Sequence, residues 1–346
     1  MANDPVRVAA VGLGRWAKVL ADAIKRSDRL RLVNCFSRSE KSRDAFAQQY
    51  GCRTAKSYEE LLDDPEVEGL IITTPNDAHA EPIIKAAEKR KDVYVDKPLA
   101  HRLVDAIAID HTCREAGIIL SVGHSARRLQ GSRKIKQIMD QGGIGKLVMA
   151  ECNFSNDRSL ELTPEKWRWY RDRNPGGPLI QLAVHHTDTL HYLFGPAKSV
   201  TCMAKRLYTP AESEDVTMTI VEMESGQLCY IGSNWASQGT FFTYVYGMDA
   251  NLYFTVDFNF WSSSDVVDRH SQLEIQHRGS SEHKPIALES GDMFREQLEE
   301  FGDCIRSRKK PEVGGPEGIA ALAVIDAALR SAETGRTVAI KEVMEG

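Results

Sequence analysis

The sequence predicts an α/β protein of two domains: a doubly wound parallel sheet in residues 1–124, and an α+β domain with a large open antiparallel sheet in residues 125–346. In the first part, short and almost wholly apolar segments alternate with helical segments of about 10–15 residues. In the second part, longer segments alternate polar and apolar residues and have no regular helix between them. The length of 346 residues also suits two domains, at about 100–200 residues each.

The first half reads as five strands joined by helices. The strands are predicted at Val6–Val11, Leu30–Phe36, Gly69–Thr74, Val93–Val95 and Ile118–Val122. The helices are predicted at Trp16–Arg26, Glu40–Tyr50, Ala78–Arg90 and Leu103–Ala116. Strands that are apolar throughout are typical of a parallel sheet covered by helices on both faces, which is the doubly wound arrangement.

The second half reads as amphipathic strands with helices at intervals. The strands are predicted at Lys146–Phe154, Ser199–Arg206, Val216–Glu222, Gln227–Asn234 and Phe241–Val256. The helices are predicted at Gly131–Gln141, Ile180–Leu193, Met293–Arg306 and Pro316–Thr334. Period-2 alternation predicts an antiparallel sheet with one buried face and one face that is exposed or covered by a partner.

Composition and charge exclude several classes of protein. Lys and Arg number 44 against 49 Asp and Glu, so the net charge of −5 gives no basic surface for nucleic acid or anionic membrane. No apolar run reaches the ~20 residues of a membrane span. The amino terminus carries an acid and a proline before its first apolar run, so we expect no secretory signal. The 7 cysteines are scattered, which argues against a disulfide framework and suits a cytoplasmic protein.

A glycine-rich turn follows the first predicted strand. Gly12-Leu13-Gly14-Arg15-Trp16-Ala17 fits the pattern G-x-G-x-x-A and opens the first helix. The first glycine permits a tight turn, and the second lets backbone N–H groups approach a pyrophosphate at the positive end of the helix. The motif predicts a nucleotide cofactor in a Rossmann domain. The alternative is a glycine turn that only reverses the chain.

The end of the second strand bears on which cofactor is bound. A site specific for NAD has Asp or Glu here to hold the ribose 2′-hydroxyl, whereas this chain has Ser37 and Arg38. A hydroxyl and a guanidinium suit a 2′-phosphate, with Lys41 as additional charge, so NADP is favoured over NAD. Two alternatives are that Arg38 stacks on the adenine or is a solvated surface residue.

A lysine stands where the fourth predicted strand ends, in Asp96-Lys97-Pro98. Ligands of open α/β sheets bind outside the carboxyl ends of the strands. Burial and cationic neighbours can lower the pKa of a lysine beside a nicotinamide and fit it for proton transfer. On position alone, a lysine in an ordinary turn is an equal alternative.

Together with Thr74-Pro75-Asn76 and His79, these motifs resemble the glucose–fructose oxidoreductase / inositol dehydrogenase (Gfo/Idh/MocA) family. The resemblance continues through Ser121-Val122-Gly123 and Gly176-Gly177 and covers nearly the whole chain; Asp96 replaces the family's usual glutamate. It implies a first domain that binds NAD or NADP and a second domain whose sheet lines the substrate pocket on one side. On the other side that sheet commonly forms subunit contacts, which implies a homodimer or homotetramer. The cofactor residues expected from the motifs and the resemblance are Gly12, Gly14, Arg15, Trp16, Ser37, Arg38, Thr74, Pro75, Asn76, His79, Asp96 and Lys97.

A histidine-containing helix also resembles the family. Gly176–Asp188 is similar to the family's G-G-x-L-x-D-x-G-x-H-x-x-D, and at helical spacing Gln181, His185 and Asp188 share one face. The resemblance implies that His185 is a general acid/base or orients the reacting group beside Lys97. The family's aspartate is Gln181 here, and an amide cannot take a proton. We therefore expect Lys97 to carry the acid/base role and Gln181 to bind a substrate hydroxyl. The alternative for His185 is a buried core histidine.

No metal is predicted, although His185, His186, Asp188 and His191 are close in sequence. Consecutive histidines point about 100° apart on a helix, and no recognised ligand pattern is present. An aromatic and basic cluster precedes the helix, and within it Trp167 and Arg168 are candidates to stack on a sugar ring and bind its hydroxyls. The alternative for this cluster is a rim or subunit contact. At the predicted domain junction, His124, Arg127 and Arg128 are similarly placed to bind substrate.

The predicted function is an NAD(P)-dependent oxidoreductase that transfers a hydride between nicotinamide and a secondary alcohol or ketone of a sugar, cyclitol or glycoside. One alternative uses the cofactor transiently, for cleavage of a sugar bond or epimerisation. A second is a non-catalytic regulatory protein that senses NAD(P). We expect no nucleic-acid or membrane partner.

Overall fold

The computed structural model describes residues 4–345, and these form two compact units. The first comprises the residues up to His124 together with Phe294–Ile319, and the second comprises Ser125–Met293 with the residues from Ala320 onward. Residues 1–3, within the amino-terminal stretch expected to carry no signal, and residue 346 lie outside the described part. Within residues 4–345, no helix combines the length and apolar character needed to cross a lipid bilayer.

The first unit contains a six-stranded sheet in which every pairing is parallel. Its strands are β1 (Val6–Val11), β2 (Leu30–Phe36), β3 (Arg53–Thr54), β4 (Gly69–Ile72), β5 (Asp92–Asp96) and β6 (Leu120–Gly123). The helices between them are α1 (Arg15–Lys25), α2 (Glu40–Tyr50), α3 (Tyr58–Asp63), α4 (Ala80–Glu88) and α5 (Leu103–Ala116). The order β3-β2-β1-β4-β5-β6 is that of dinucleotide-binding domains. The predicted doubly wound sheet is confirmed.

Two elements of this unit, β3 and α3, were not predicted. Strand β3 is two exposed polar residues long, so it has no apolar pattern to detect. Helix α3 spans 6 residues, and a serine at its amino-terminal cap, Ser57, accepts a hydrogen bond from the backbone N–H of Glu60 at 3.0 Å. Such short elements depend on tertiary contacts rather than on their own periodicity.

The second unit contains a nine-stranded sheet in the order β14-β13-β12-β11-β7-β10-β9-β8-β15. Its strands are β7 (Leu147–Ser155), β8 (Ala197–Lys205), β9 (Val216–Met223), β10 (Leu228–Asn234), β11 (Thr240–Gly247), β12 (Ala250–Val256), β13 (Ser271–His277), β14 (Lys284–Ile286) and β15 (Val338–Ala339). Its helices include α6 (Gln130–Asp140) and α7 (Val184–Phe194), the latter preceded by a π-helical turn at Leu179–Ala183.

Two expectations about this sheet need correction. The sheet is mixed, because β7 and β10 pair in parallel while the other neighbours are antiparallel. Strand β7 lies between β10 and β11, which run in opposite directions, so one of its two pairings has to be parallel. The segment Phe241–Val256, predicted as one strand, is a hairpin in which Phe241 pairs with Val256. Buried and exposed residues alternate in both β11 and β12, so the sequence pattern does not reveal the turn between them.

One face of the second sheet is buried and the other carries exposed apolar side chains. Along β9, Thr217, Thr219 and Val221 are buried, while the alternate residues Met218 and Ile220 are 57% and 49% exposed. On the neighbouring β8, Met203 is 66% exposed. The alternation of polar and apolar residues predicted from the sequence is therefore that of a sheet with one buried face and one exposed face.

The carboxy-terminal segment differs from the predicted domain division. Helix α8 (Met293–Ser307) and the start of α9 (Gly315–Thr334) were assigned to residues 125–346, but Phe294–Ile319 belong to the first unit. The Phe294 ring lies 5.2 Å from that of Trp16, and Phe301 lies 6.1 Å from Tyr94. These buried contacts cover apolar surface of the first sheet, which sequence order alone does not reveal. The chain ends with α10 (Ile340–Glu345).

Candidate active site

The ends of five parallel strands form one row in the first unit. Phe36 pairs with Val11, Val11 with Ile72, Ile72 with Val95, and Val95 with Val122. The turns that follow these residues therefore emerge side by side at the carboxyl edge of the sheet. They contain most of the residues predicted to bind the cofactor, although these are far apart in sequence.

Gly12 lies in the turn after β1, where the turn after β4 approaches it closely. Its φ of +83° is in the left-handed region, and a Cβ at this position would lie 2.9 Å from the backbone nitrogen of Thr74. The carbonyl of Gly12 accepts a hydrogen bond of 2.6 Å from the Thr73 hydroxyl, and its N–H donates to the carbonyl of Phe36. The first glycine of the motif is thus required by both its conformation and the close approach of the β4 turn.

Gly14 and the start of α1 form an unoccluded helix terminus. Gly14 is the N-cap, no side chain caps the helix, and its first turn contains no acidic residue. A Cβ placed on Gly14 would meet no heavy atom within 4 Å, so the space in front of the helix is open on the protein side. The first N–H groups of a helix have no intrahelical acceptor and carry the positive end of its dipole. This arrangement fits the pyrophosphate of a dinucleotide.

Arg15 and Trp16 follow Gly14 with different surroundings. Arg15 is exposed, whereas the indole of Trp16 packs edge-on against Phe294. The indole Nε1 of Trp16 is buried and has no hydrogen-bond partner within residues 4–345, so the predicted cofactor role of Trp16 stays a prediction.

The Thr74-Pro75-Asn76 turn supplies a buried polar atom at the same edge. Asn76 is 5% exposed, and its Nδ2 has no hydrogen-bond partner within residues 4–345. A buried amide donor without an acceptor is costly, and a bound ligand with a suitable acceptor would remove that cost. Together with the α1 terminus, this atom shows that the residues present fit a dinucleotide.

His79 connects two turns rather than presenting its ring to a ligand. Its Nδ1 lies 3.0 Å from the carbonyl of Pro98, and its Nε2 lies 2.9 Å from the carbonyl of Thr74. The ring is buried, and burial lowers its pKa, although the contacts with Thr74 and Pro98 oppose this. A neutral imidazole donates to one carbonyl at a time. His79 was predicted to bind the cofactor, but both ring nitrogens are engaged with backbone carbonyls.

Asp96 and Lys97 lie at the end of β5, directly after Val95, which belongs to the row of strand ends. Asp96 is the last residue of the strand, and Lys97 is half-buried before a cis peptide bond to Pro98. At the neighbouring position on β6, a Cβ on Gly123 would lie 3.2 Å from Asp96 Oδ1 and 2.5 Å from the Tyr94 hydroxyl. Glycine at position 123 therefore leaves room for these two polar groups at the sheet edge.

Ser37 and Arg38 lie at the end of β2. The Ser37 hydroxyl donates to the carbonyl of Ser39 at 3.2 Å, and the Ser37 carbonyl accepts from Nη1 of Arg43 at 2.8 Å. Arg38 is exposed and makes no hydrogen bond or ion pair within the part of the chain that the structure describes. Its guanidinium can therefore contact an external anion without breaking an existing contact.

In the second unit, Gln181 belongs to a hydrogen-bonded ring with Asn174 and Arg168. Gln181 Nε2 donates to Asn174 Oδ1 at 2.9 Å, Arg168 Nε donates to Gln181 Oε1 at 3.3 Å, and Asn174 Nδ2 donates to the carbonyl of Arg168 at 3.3 Å. The guanidinium of Arg168 also lies 4.4 Å from the ring of Trp167. Gln181 was expected to bind a substrate hydroxyl; each end of its amide already makes one hydrogen bond, to Asn174 and from Arg168, and the substrate role stays a prediction.

The π-helical turn changes the expected geometry of the histidine helix. The prediction that Gln181, His185 and Asp188 share one face assumed a continuous α-helix, but Leu179–Ala183 are π-helical and α7 begins at Val184. Gln181 contacts Asn174 and Arg168, whereas Asp188 pairs with Arg127. The single predicted face is therefore divided between two networks. Asn174 was not predicted, and only its position just before the glycine pair could have suggested it.

His185 and His186 are both buried among aromatic rings. The His185 ring lies 5.4 Å from Phe154 and 5.2 Å from Trp261. His186 lies 4.6 Å from Phe241, and burial lowers its pKa to about 4, so it is neutral at physiological pH. Within residues 4–345, no three His, Cys, Asp or Glu side chains are arranged as ligands of a metal ion.

Arg127 forms a buried ion pair instead of an open binding group. Its Nε and Nη2 donate to Asp188 at 2.8 and 2.6 Å, and the two side chains are 6% and 1% exposed. Arg127 was predicted to bind substrate, but this bidentate pair uses one edge of its guanidinium. The substrate-binding roles of His124, Trp167 and Arg168 stay predictions. His124 is buried in the first unit, and Trp167 and Arg168 are half-buried in the second.

Comparison with known proteins agrees with this architecture. Residues 6–124 match the model of the oxidoreductase family with an NAD-binding Rossmann fold, and residues 132–253 match the GFO/IDH/MocA C-terminal domain. The fold and the first-unit site thus define an NAD-binding Rossmann oxidoreductase. The chain belongs to the GFO/IDH/MocA family.

Similar proteins extend over almost the whole chain. A crystal structure of a candidate NADPH-dependent oxidoreductase from Desulfitobacterium hafniense is 42% identical, with a TM-score of 0.95 and 99% of each chain covered. The 1,5-anhydro-D-fructose reductase of Ensifer adhaerens is 25% identical over 95% of this chain and 99% of its own. The scyllo-inositol 2-dehydrogenase (NAD(+)) of Bacillus subtilis is 29% identical over 96% of both chains.

Replacing Gly14 by alanine tests the open helix terminus. The backbone at Gly14 is extended (φ −76°, ψ −169°) and the space is open, so Gly14→Ala should change the free energy of unfolding by less than about 0.5 kcal/mol. The added methyl should block a pyrophosphate and raise the Kd for NADPH and NADH by about tenfold or more, or ~1.4 kcal/mol. Calorimetric titration and denaturant unfolding measure the two quantities.

The matched control is Gly117→Ala. Gly117 caps α5 with φ of +68°, so alanine there should lower the free energy of unfolding by about 1 kcal/mol and leave cofactor affinity unchanged. Unchanged affinity in Gly14→Ala would contradict the assignment of the α1 terminus.

Proposed function

We propose that this protein is an NAD(P)-dependent dehydrogenase or reductase that interconverts a secondary alcohol and a ketone on a sugar, cyclitol or glycoside. The observation that carries the proposal is the row of strand ends, which gathers Gly12, Gly14, Asn76 and Lys97 at one edge of the first sheet. The reductase and inositol dehydrogenase relatives support a polyhydroxylated substrate, because the names of both describe such compounds.

In this proposal the cofactor is held by groups of the first unit. The N–H groups at the start of α1 bind the pyrophosphate, and Asn76 Nδ2 donates to an acceptor of the cofactor. When bound, the nicotinamide supplies or accepts the hydride. Ser37 and Arg38 contact the adenosine ribose, and the guanidinium of Arg38, which has no partner within residues 4–345, favours a 2′-phosphate and therefore NADP. The candidate NADPH-dependent relative supports this preference, whereas the inositol dehydrogenase relative is named for NAD.

Lys97, in the first unit, is the acid/base of the proposed reaction. During oxidation, Lys97 Nζ takes the hydroxyl proton; during reduction, it returns that proton to the new alkoxide. His185, in the second unit, orients a substrate oxygen through a hydrogen bond, and its ring packs against Phe154 and Trp261. Gln181 is neutral and engaged with Asn174 and Arg168, so it relays no proton. Its role is to hold Arg168, which with Trp167 contacts the polyhydroxylated ring.

We also infer that copies of the chain associate through the exposed face of the second sheet as a homodimer or homotetramer. Met203, Met218 and Ile220 lie on that face with about half or more of their surface exposed. Burying such a patch against a second copy would remove apolar area from water.

Lys97→Met tests the acid/base assignment. Loss of the amine should lower kcat by about 10²–10⁴-fold, the usual contribution of a general acid/base, and should flatten the rise of kcat/KM with pH in the oxidising direction. The assay follows absorbance of the reduced nicotinamide with a panel of sugars and cyclitols, and titration of the same variant with cofactor separates chemistry from binding.

The control is Lys89→Met, which removes an exposed lysine on the surface beyond α4 and should leave kcat within about twofold. Unchanged kcat in Lys97→Met on every accepted substrate would refute the assignment. If the wild type transforms a sugar without net formation of reduced or oxidised cofactor, the transient use of NAD(P) replaces net redox chemistry as the function.

Arg38→Ala tests the cofactor preference. A charge-assisted hydrogen bond contributes about 1.5–3 kcal/mol, so its loss should raise the Kd for NADPH by about tenfold or more and leave the Kd for NADH nearly unchanged. Arg31→Ala is the matched control, because Arg31 is also exposed and lies near the opposite end of β2. An equal effect of Arg38→Ala on both cofactors would remove the basis for preferring NADP.

A further inference from the structure

Two cysteines in the first unit lie close together beside the predicted adenosine end of the cofactor site. Cys35, in β2, belongs to a buried cluster with Ala10, Ala17, Ala21 and Phe46, and Cys52 packs against the same cluster. Strands β2 and β3 pair in parallel with Cys35 opposite Thr54, so Cys52 lies at the start of the adjacent chain segment. Cys52 lies two residues before Thr54, so its side chain is on the same side of the sheet as that of Cys35, diagonal to it, and a side-chain hydrogen bond joins the two thiols.

The two thiols differ in reactivity. A hydrogen bond with Cys35, opposed by burial, lowers the pKa of the Cys52 thiol, and the same bond together with burial raises the pKa of Cys35. Of the 7 cysteines, all within residues 4–345, Cys52 is the one that is not buried. A partly exposed thiol of lowered pKa beside a second thiol is the usual arrangement of an oxidisable pair.

We propose that Cys52 and Cys35 form an oxidisable dithiol that a hydroperoxide converts into an intramolecular disulfide. The Cys52 thiolate attacks the peroxide: an S–O bond forms, the O–O bond breaks, and the alcohol (water, for hydrogen peroxide) leaves. Cys35 sulfur then attacks the Cys52 sulfenic acid: the S–S bond forms, the S–O bond breaks, and the hydroxide leaves with the Cys35 proton as water. The dithiol loses two electrons and the peroxide gains them.

The dithiol is connected to the turn that contains Ser37 and Arg38. Cys35 Sγ lies 3.8 Å from the carbonyl of Arg43, and Nη1 of Arg43 donates to the carbonyl of Ser37 at 2.8 Å. Drawing Cys35 and Cys52 to the length of an S–S bond disturbs the packing around Arg43 and with it the Ser37 turn. Oxidation therefore weakens binding of NADPH several-fold; this consequence rests on the proposed function, whereas disulfide formation does not.

Peptide mapping of the full chain tests the disulfide. The protein is treated with hydrogen peroxide, remaining thiols are alkylated in denaturant, and trypsin is added. Cleavage after Arg and Lys places Cys35 in Leu32–Arg38 and Cys52 in Asp44–Arg53. We expect a linked species with the summed mass of these peptides less two hydrogen atoms, which dithiothreitol converts back to the separate peptides. Peroxide should produce no such species in Cys52→Ser, whereas the control Cys113→Ser should behave as the wild type.

Two results would overturn the proposal. Alkylated Cys35 together with Cys52 oxidised to the sulfinic acid would show that the pair does not close. A disulfide that forms without any change in the Kd for NADPH would refute its connection to the Ser37 turn.

The reduced wild type is titrated with NADPH and NADH in parallel. Failure of the reduced protein to bind either would contradict the proposed function and leave the peptide result as an independent test of the disulfide.

Discussion

The candidate active site depends on the register of the parallel sheet in the first unit. Parallel strands cannot be joined by tight hairpins, so each strand is followed by a helical crossover and all carboxyl ends lie at the same edge. Here the pairing places one residue from each of five strands in a single row: Phe36, Val11, Ile72, Val95 and Val122. A shift of one residue in any pairing would reverse the side chains of that strand and displace its turn from the row.

This constraint explains the residue types in the turns. Between β1 and β4 the strand order reverses, and the two turns approach so closely that only glycine fits at position 12. At β6, Gly123 leaves space for Tyr94 and Asp96. The ring nitrogens of His79 lie 2.9 and 3.0 Å from the Thr74 and Pro98 carbonyls, so one buried ring packs between the turn that carries Asn76 and the turn that carries Lys97. Small residues and backbone contacts thus position the few side chains that can bind or react.

The second unit positions its polar groups by burial rather than by strand register. Arg127 and Asp188 form a bidentate pair, and removal of one partner from such a pair typically costs about 3–5 kcal/mol because the other charge stays buried. Asn174 and Gln181 are almost fully buried and satisfy one another while they hold Arg168. Because Gln181 is neutral, it holds Arg168 without adding a negative charge.

Sequence reasoning succeeded where a pattern is local. Helices α2 and α5 and strands β1 and β2 have the predicted bounds, because apolar runs and capping residues mark them directly. It failed where partners are distant: the return of Phe294–Ile319 to the first unit, the parallel β7–β10 pair and the ion pair of Arg127 all depend on contacts between remote segments. The π-helical turn before α7 was missed because its residues have the same apolar spacing as an α-helix.

Isotope transfer tests the central claim most directly. The wild-type protein is incubated with NADPH or NADH carrying deuterium on either face of C4 of the nicotinamide, together with a panel of keto-sugars and keto-cyclitols. We predict that mass spectrometry will detect one deuterium on the new carbinol carbon, from one face of the cofactor only. Retention of deuterium in both cofactors with every ketone, while the protein binds the cofactor normally, would contradict the proposed hydride transfer.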